Sequence, residues 1–430
     1  MNRPSTRAIA AIGGAGVIVA IVLVALLLRD QAAGPPGADA SGTPAASATT
    51  TASPATPGEP QPSTPSATGS PPAVVPEEWT AVATFSEAGK RYVLGDMVEW
   101  ADGLIAVGTL YEEESRNVFG PPPPRSGRVW RSPDGTVWTD ATPANTFADV
   151  ELAHLFETAD GALIAIGNTY PEVDAVSQAW GTTDGETWTP IELDGVPAGS
   201  FVLQVASGAQ GHVASTYVGA AAHPLFSADG RTWQPTLHDD VVTMVAAGDE
   251  GFVASTFGGE PGGTSPQVVA SADGLEWFDA TEPDGERLLA ASRGGDWIAT
   301  TTAVADGSVS VATWGSANGL DWSVLGEMAL QDIEISGTSC AEVPAILHGL
   351  PTLTVAGTVL GVGLCGEGAV VSAGASYASL DGVSWTRLPF GDQAFAAGAA
   401  ETSDRIVIAT DARTNQADVV GVSFWISQSP

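Results

Sequence analysis

From residue 79 onward, apolar and polar positions fall into short runs of strand length, separated by Gly- and Asp-containing turns. Seven runs are the most apolar: GLIAVGT (103–109), GALIAIGN (161–168), GHVASTY (211–217), GFVASTF (251–257), GDWIATT (295–301), TVLGVGL (358–364) and DRIVIAT (404–410). Nearly unbroken apolar runs of this length read as strands covered on both faces. A weaker strand precedes each, as in VVTMVAA (241–247), and a third follows, as in Gly127–Trp130 or Gln267–Ala270. A turn and a last short strand complete the unit. The pattern predicts an antiparallel four-stranded sheet repeated along the chain.

The turn itself repeats. Its copies are Ser132-Pro-Asp134-Gly-Thr-Val-Trp138, Thr182-Thr-Asp184-Gly-Glu-Thr-Trp188, Ser227-Ala-Asp229-Gly-Arg-Thr-Trp233, Ser271-Ala-Asp273-Gly-Leu-Glu-Trp277, Ser316-Ala-Asn318-Gly-Leu-Asp-Trp322 and Ser379-Leu-Asp381-Gly-Val-Ser-Trp385. They start 50, 45, 44, 45 and 63 residues apart. Asp-Gly between strand-like runs is a hairpin signal, because Gly accepts positive φ. The Asp or Asn side chain and the Ser or Thr hydroxyl can cap turn amides. Trp then buries a large ring where the next strand begins. Sheets of this kind at this period predict an all-β, seven-bladed propeller. Six turns serve seven apolar strands. The chain ends on Val422–Ser427, which reads as a third strand reaching the turn serine. The domain opens on Glu77-Glu78-Trp79, which reads as a fourth strand entering on the turn Trp. The N-terminal strand is therefore expected to close the ring and cover an edge.

The first 76 residues follow a different pattern. Residues 8–28 hold neither charge nor Pro, and such a run spans a hydrocarbon core of about 30 Å. Arg3 and Arg7 in the segment 1–7 predict an N-in orientation that exports the rest. A cleaved signal peptide is the alternative; the run exceeds the usual length of a secretory apolar region, which favours an uncleaved anchor. Residues 29–76, rich in Ala, Pro, Ser and Thr, predict a mobile stalk with ends roughly 35–40 Å apart. The propeller occupies 77–430, and its expected place is the extracytoplasmic side of a membrane.

The recurring turn resembles the Asp-box (BNR) repeat of sialidases, sortilin-type receptors, xyloglucan-cleaving glycoside hydrolases and a photosystem II assembly factor. It departs from that family's usual Ser-x-Asp-x-Gly-x-Thr-Trp by setting Asp and Gly side by side. The resemblance implies the propeller architecture. It leaves three activities open: a ligand- or protein-binding module without catalysis, a sialidase-like or other glycoside hydrolase, and an assembly or stability factor for a membrane complex. Sialidases carry an Arg-Ile-Pro motif, an arginine triad and a Tyr–Glu pair. This chain has no Arg-Ile-Pro, and Lys90-Arg91-Tyr92 in the first blade does not match it.

Charge narrows the partners. The chain has 15 basic and 50 acidic residues, a net −35, which excludes a phosphate-binding basic surface and hence a nucleic-acid partner. Residues 1–78 account for only −2, so the acidity belongs to the propeller. Its five His show no metal-ligand spacing, and the Gly-rich loops lack the Lys and helix of a phosphate cradle. No metal or cofactor is expected.

The irregular loops fall on the propeller face opposite the recurring turns. One runs from Tyr111 to Ser126, another over about 327–347. Long insertions in a regular repeat are where function concentrates. Lys90, Arg91, Arg116, Arg125, Arg128 and Arg287 map to this face, with Tyr92 and Tyr111 among them. They form a candidate cationic, aromatic-lined patch for an anionic glycan or a carboxylate-bearing protein ligand. The competing reading is a mixed-charge loop neutralised by Glu112, Glu113 and Glu114. Cys340 and Cys365 map to one blade on the same face. An exported domain is expected to pair them, with about 3 kcal/mol from closing the loop; two buried free thiols are the alternative.

Overall fold

The computed structural model describes residues 74–101, 103–112, 124–169, 176–218, 221–236, 241–257, 266–281, 288–293, 295–305, 308–328, 340–342, 345–349, 354–363, 370–391, 394–402, 404–412 and 421–428. They form an all-β propeller of seven blades and contain no helix. The candidate membrane span at 8–28 and most of the candidate stalk lie outside them. Among the described residues no helix is long and apolar enough to cross a membrane.

Strand β1 (Thr80–Phe85) belongs to the last blade. Blade 1 comprises β2 (Arg91–Trp100), β3 (Gly103–Tyr111), β4 (Arg125–Ser132) and β5 (Thr139–Asp140). Blade 2 comprises β6 (Glu151–Glu157), β7 (Leu163–Thr169), β8 (Val176–Thr182) and β9 (Thr189–Ile191). Blade 3 comprises β10 (Phe201–Gly208), β11 (Gly211–Val218), β12 (Ala221–Ser227) and β13 (Gln234–Pro235). Blade 4 comprises β14 (Val241–Gly248), β15 (Gly251–Phe257), β16 (Pro266–Ser271) and β17 (Phe278–Asp279). Blade 5 comprises β18 (Leu288–Arg293), β19 (Asp296–Ala305), β20 (Ser308–Ser316) and β21 (Ser323–Met328). In blade 6 the inner strand is in two pieces, β22 (Cys340–Glu342) and β23 (Ala345–Gly349). Both pair with β24 (Thr354–Gly363), followed by β25 (Val370–Ser379) and β26 (Thr386–Arg387). Blade 7 orders β27 (Ala394–Glu401), β28 (Arg405–Ala412) and β29 (Val422–Gln428), with β1 outermost.

Within blades 1 to 6 the strands run from the axis to the rim in chain order, and in blade 7 only the outermost strand, β1, departs from it. The inner strands β2, β6, β10, β14, β18, β23 and β27 touch in succession, and β27 returns to β2. Cores lie in the seams between blades. Trp100, Ile105, Leu152, Leu155 and Trp180 fill the seam of blades 1 and 2. Leu94, Trp130, Trp138, Val407 and Phe424 fill that of blades 7 and 1, with Trp138 stacked on Phe424 at 3.8 Å.

One strand differs from the sequence reading. The apolar run 358–364 is only the far half of β24, which begins at Thr354 and sets that residue opposite the turn Ser379. By register, Thr354-Val355-Ala356 matches Leu104-Ile105-Ala106. The local run TVAGTVLGVG alternates small and apolar residues without a clear start, so pattern alone slid the strand outward by four residues.

Candidate functional site

The turns between third and fourth strands share one hydrogen-bond scheme. The Ser or Thr hydroxyl accepts the Gly N–H in five of them: Gly135 to Ser132, Gly185 to Thr182, Gly230 to Ser227, Gly274 to Ser271 and Gly382 to Ser379, at 2.8–2.9 Å. Asp184 accepts the N–H of Glu186 and Thr187 at 2.8 and 2.7 Å; Asp229, Asp273 and Asp381 repeat this. Asp134 accepts the N–H and hydroxyl of Thr136. In blade 5, Asn318 accepts the N–H of Leu320 and Asp321 and donates its amide to Asp321 at 2.9 Å. These donors hold the carboxyls low: Asp229 falls to about 2 through the N–H of Thr232 and Arg231, and Asp184 falls through those of Thr187 and Glu186. The turn glycines all have positive φ, between 70° and 78°. A Cβ on Gly274 would sit 2.3 Å from Phe226 of the preceding blade, and one on Gly382 would sit 2.8 Å from Ile298. The turns thus seat each blade on its predecessor, with Trp188 and Trp233 buried in the seams and Trp277 packed against them. Trp138, Trp322 and Trp385 each donate Nε1–H to the Gly carbonyl three residues back.

The seventh turn is assembled from the two ends of the described chain. Trp79 donates to the carbonyl of Pro76, again three residues back, at 2.9 Å. Pro has no N–H, so the Ser427 hydroxyl instead donates to the Glu78 carbonyl at 2.7 Å.

On the loop face, the described cations have internal partners. Lys90 pairs with Glu87 and Glu112 at 3.0 and 3.3 Å, which raises its pKa. Arg91 lies over the Tyr111 ring at 4.0 Å, and Tyr111 is itself buried. Arg128 faces Asp140 at 3.6 Å. The Arg125 side chain is only 3% exposed and binds the equally buried Glu151 at 2.8 Å, with Asp149 at 3.5 Å. Burial raises the pKa of Tyr92. Arg116 and Arg287 lie outside the described residues. Backbone pairing sets Cys340 opposite Gly363, two residues before Cys365, which also lies outside them.

A second group of functional interest lies on the inner strands. No local residue pattern marks it, because each member acts across a seam. An inner strand pairs on one side only, so the N–H and C=O groups of its other edge face the axis and need partners. After register shifts in β2, β6 and β10, Asp96, His154 and Gln204 stand at one equivalent position, opposite Val107, Ile166 and Ser215. Asp96 accepts the N–H of Leu155 in blade 2 at 2.9 Å and that of Met97 at 2.8 Å. His154 binds the Leu203 carbonyl of blade 3 at 3.0 Å through Nε2. A carbonyl only accepts, so this nitrogen carries the proton. Gln204 Oε1 accepts the N–H of Val245 in blade 4 at 2.9 Å. Asp411 serves the seam before them, accepting the Leu94 N–H at 2.9 Å. Burial pushes the Asp96 carboxyl up to about 6 against the pull of its two N–H donors, and pushes His154 down to about 4. At neutral pH His154 is therefore an uncharged imidazole, and Asp96 is a carboxylate close to its titration range. Among the described residues no group of His, Cys, Asp and Glu could hold a metal ion.

Solved structures similar to this chain include sialidases, a glycoside hydrolase and propeller domains. The propeller domain of the trilobed protease from Pyrococcus furiosus is 9% identical over 79% of this chain and 98% of its own, with TM-score 0.45. The phage phi92 endosialidase is 12% identical over 81% of this chain and 69% of its own, with TM-score 0.40. A sialidase of Trypanosoma rangeli is 13% identical over 68% of this chain and 56% of its own, with TM-score 0.37. No family model and no curated protein matches the chain. The propeller assignment rests on the strand pairing described above.

Proposed function

We propose that this protein is an envelope-anchored propeller that binds a ligand or protein outside the cytoplasm without transforming it. The observation that carries this reading is how the ionisable groups are engaged. Asp96, the carboxylate of the inner ring, has both oxygens on backbone N–H groups, and the described loop-face cations face carboxylates or an aromatic ring. Ordinary glycoside hydrolysis needs two carboxyls free to act across one bond. A screen of envelope glycans and proteins against the full-length protein is expected to find saturable binding, with no turnover of fluorogenic glycosides. Turnover would reverse the reading. The N-terminal run supports anchoring, and exposure of the propeller to protease added to intact cells tests it. A Cys340–Cys365 bridge belongs to the same reading; intact mass before and after reduction should differ by two hydrogens.

One observation favours glycoside hydrolysis as a second reading. A carboxyl brought to about 6 is suited to general-acid work. If Asp96 has that role, Asp96→Asn abolishes glycoside turnover while the protein stays folded.

A further inference from the structure

We infer that the inner ring formed by His154 and Gln204, with Asp96 beside them, is a binding site for an uncharged, hydroxyl-rich ligand, specifically a neutral saccharide. The inference rests on the binding reading above and gives it a ligand class and a place. Each of the two side chains has one half committed to the next blade and one half free. His154 gives Nε2–H to Leu203, which leaves Nδ1 as a lone-pair acceptor on a neutral ring. Gln204 gives Oε1 to Val245, which leaves its two amide N–H donors. Neither free atom is among the buried polar atoms that lack a partner, and both residues are part-buried rather than fully enclosed.

An acceptor and a donor at equivalent positions of neighbouring blades suit hydroxyl groups, which donate and accept at once. An anion would face Asp96 inside residues 79–430, where acidic residues outnumber basic ones by 33. A cation would meet the Gln204 amide donors and an imidazole that stays neutral down to about pH 4. The seam contacts also pre-orient both side chains, which lowers the ordering cost of binding.

The test separates the two halves of each side chain. His154→Lys keeps a nitrogen donor for Leu203 and offers no lone-pair acceptor in place of Nδ1. Gln204→Glu keeps the oxygen for Val245 and removes the amide donors. The full-length protein is titrated calorimetrically at pH 7.5 with cellobiose, lactose and N,N′-diacetylchitobiose, and in parallel with N-acetylneuraminic acid and spermidine. The expected result is binding of at least one neutral disaccharide, weakened about tenfold by either substitution. The thermal midpoint should hold, and the rim variant Val137→Ser should bind like the parent. Equal affinity in both variants overturns the channel site but leaves the binding reading standing. Preference for N-acetylneuraminic acid or spermidine, or no binding across the whole panel, overturns the ligand class. The binding reading itself fails only if the wider screen of envelope glycans and proteins also finds no ligand.

Discussion

Gly274 and Gly295 both have positive φ, at 76° and 93°, yet they differ in surroundings. A Cβ on Gly274 would strike the Phe226 ring, whereas nothing lies within 4 Å of one on Gly295. Gly295→Ala is expected to cost about 1 kcal/mol in denaturant unfolding, the conformational term alone. Gly274→Ala should cost about 3 kcal/mol, because displacement of a buried ring is added. Equal losses would mean that the turn does not seat one blade on another. Asn318 gives a second contrast. Its amide donates to Asp321, a contact that an Asp at this position would turn into repulsion. Asn318→Asp should lower the thermal midpoint at low ionic strength and recover it in molar salt. The roles of Gly and Asp in these turns were legible in sequence, because Asp-Gly-x-x-Trp is local chemistry completed within seven residues. The collision with the neighbouring blade was not, since Phe226 and Gly274 are 48 residues apart.

Strands and their seams show the same division. β3, β7, β11 and β15 announced themselves through unbroken apolar runs, because each is covered on both faces. The inner strands did not reveal Asp96, His154 and Gln204, since their equivalence depends on register shifts that no residue pattern marks. Arg125 shows how a correct placement can mislead about surroundings. It does lie at the base of a long loop, but Asp149 and Glu151 fold against it. The contact ties β4 of blade 1 to β6 of blade 2. Arg125→Ala takes the guanidinium away from the buried Glu151 carboxylate and should cost about 3–5 kcal/mol. Arg125→Met combined with Glu151→Leu should restore much of that loss. If the double variant is as unstable as the single one, the pair is not what holds the seam.

For the whole molecule, the buried histidines set how stability responds to acid. His154 and His212 both titrate at about 4 in the fold, against 6.5 for the ordinary group, and burial is the main cause in each. The unfolded chain therefore takes up protons first, and their contribution is present above pH 6.5 and lost between 6.5 and 4. Asp96 acts in the opposite sense. Its folded value of about 6 lies above the ordinary 3.8, so it favours the fold as pH falls from 6 toward 3.8. Thermal midpoints should fall from pH 7 to 5, and His212→Phe should flatten the decline. Asp96→Asn should steepen it, by removing the opposing group. The seventh turn carries a different consequence, one of timing. Thr80 pairs with Ile426, so the strand that leaves the ribosome near the beginning of the domain finds its partner only after the other six blades have been made. Until then six blades can stack while β1 trails with its hydrogen-bonding edge unfilled. A neighbouring nascent chain can supply β29 equally well. Crowded translation or refolding at high concentration should therefore yield exchanged dimers, each ring fastened by the other chain's first strand.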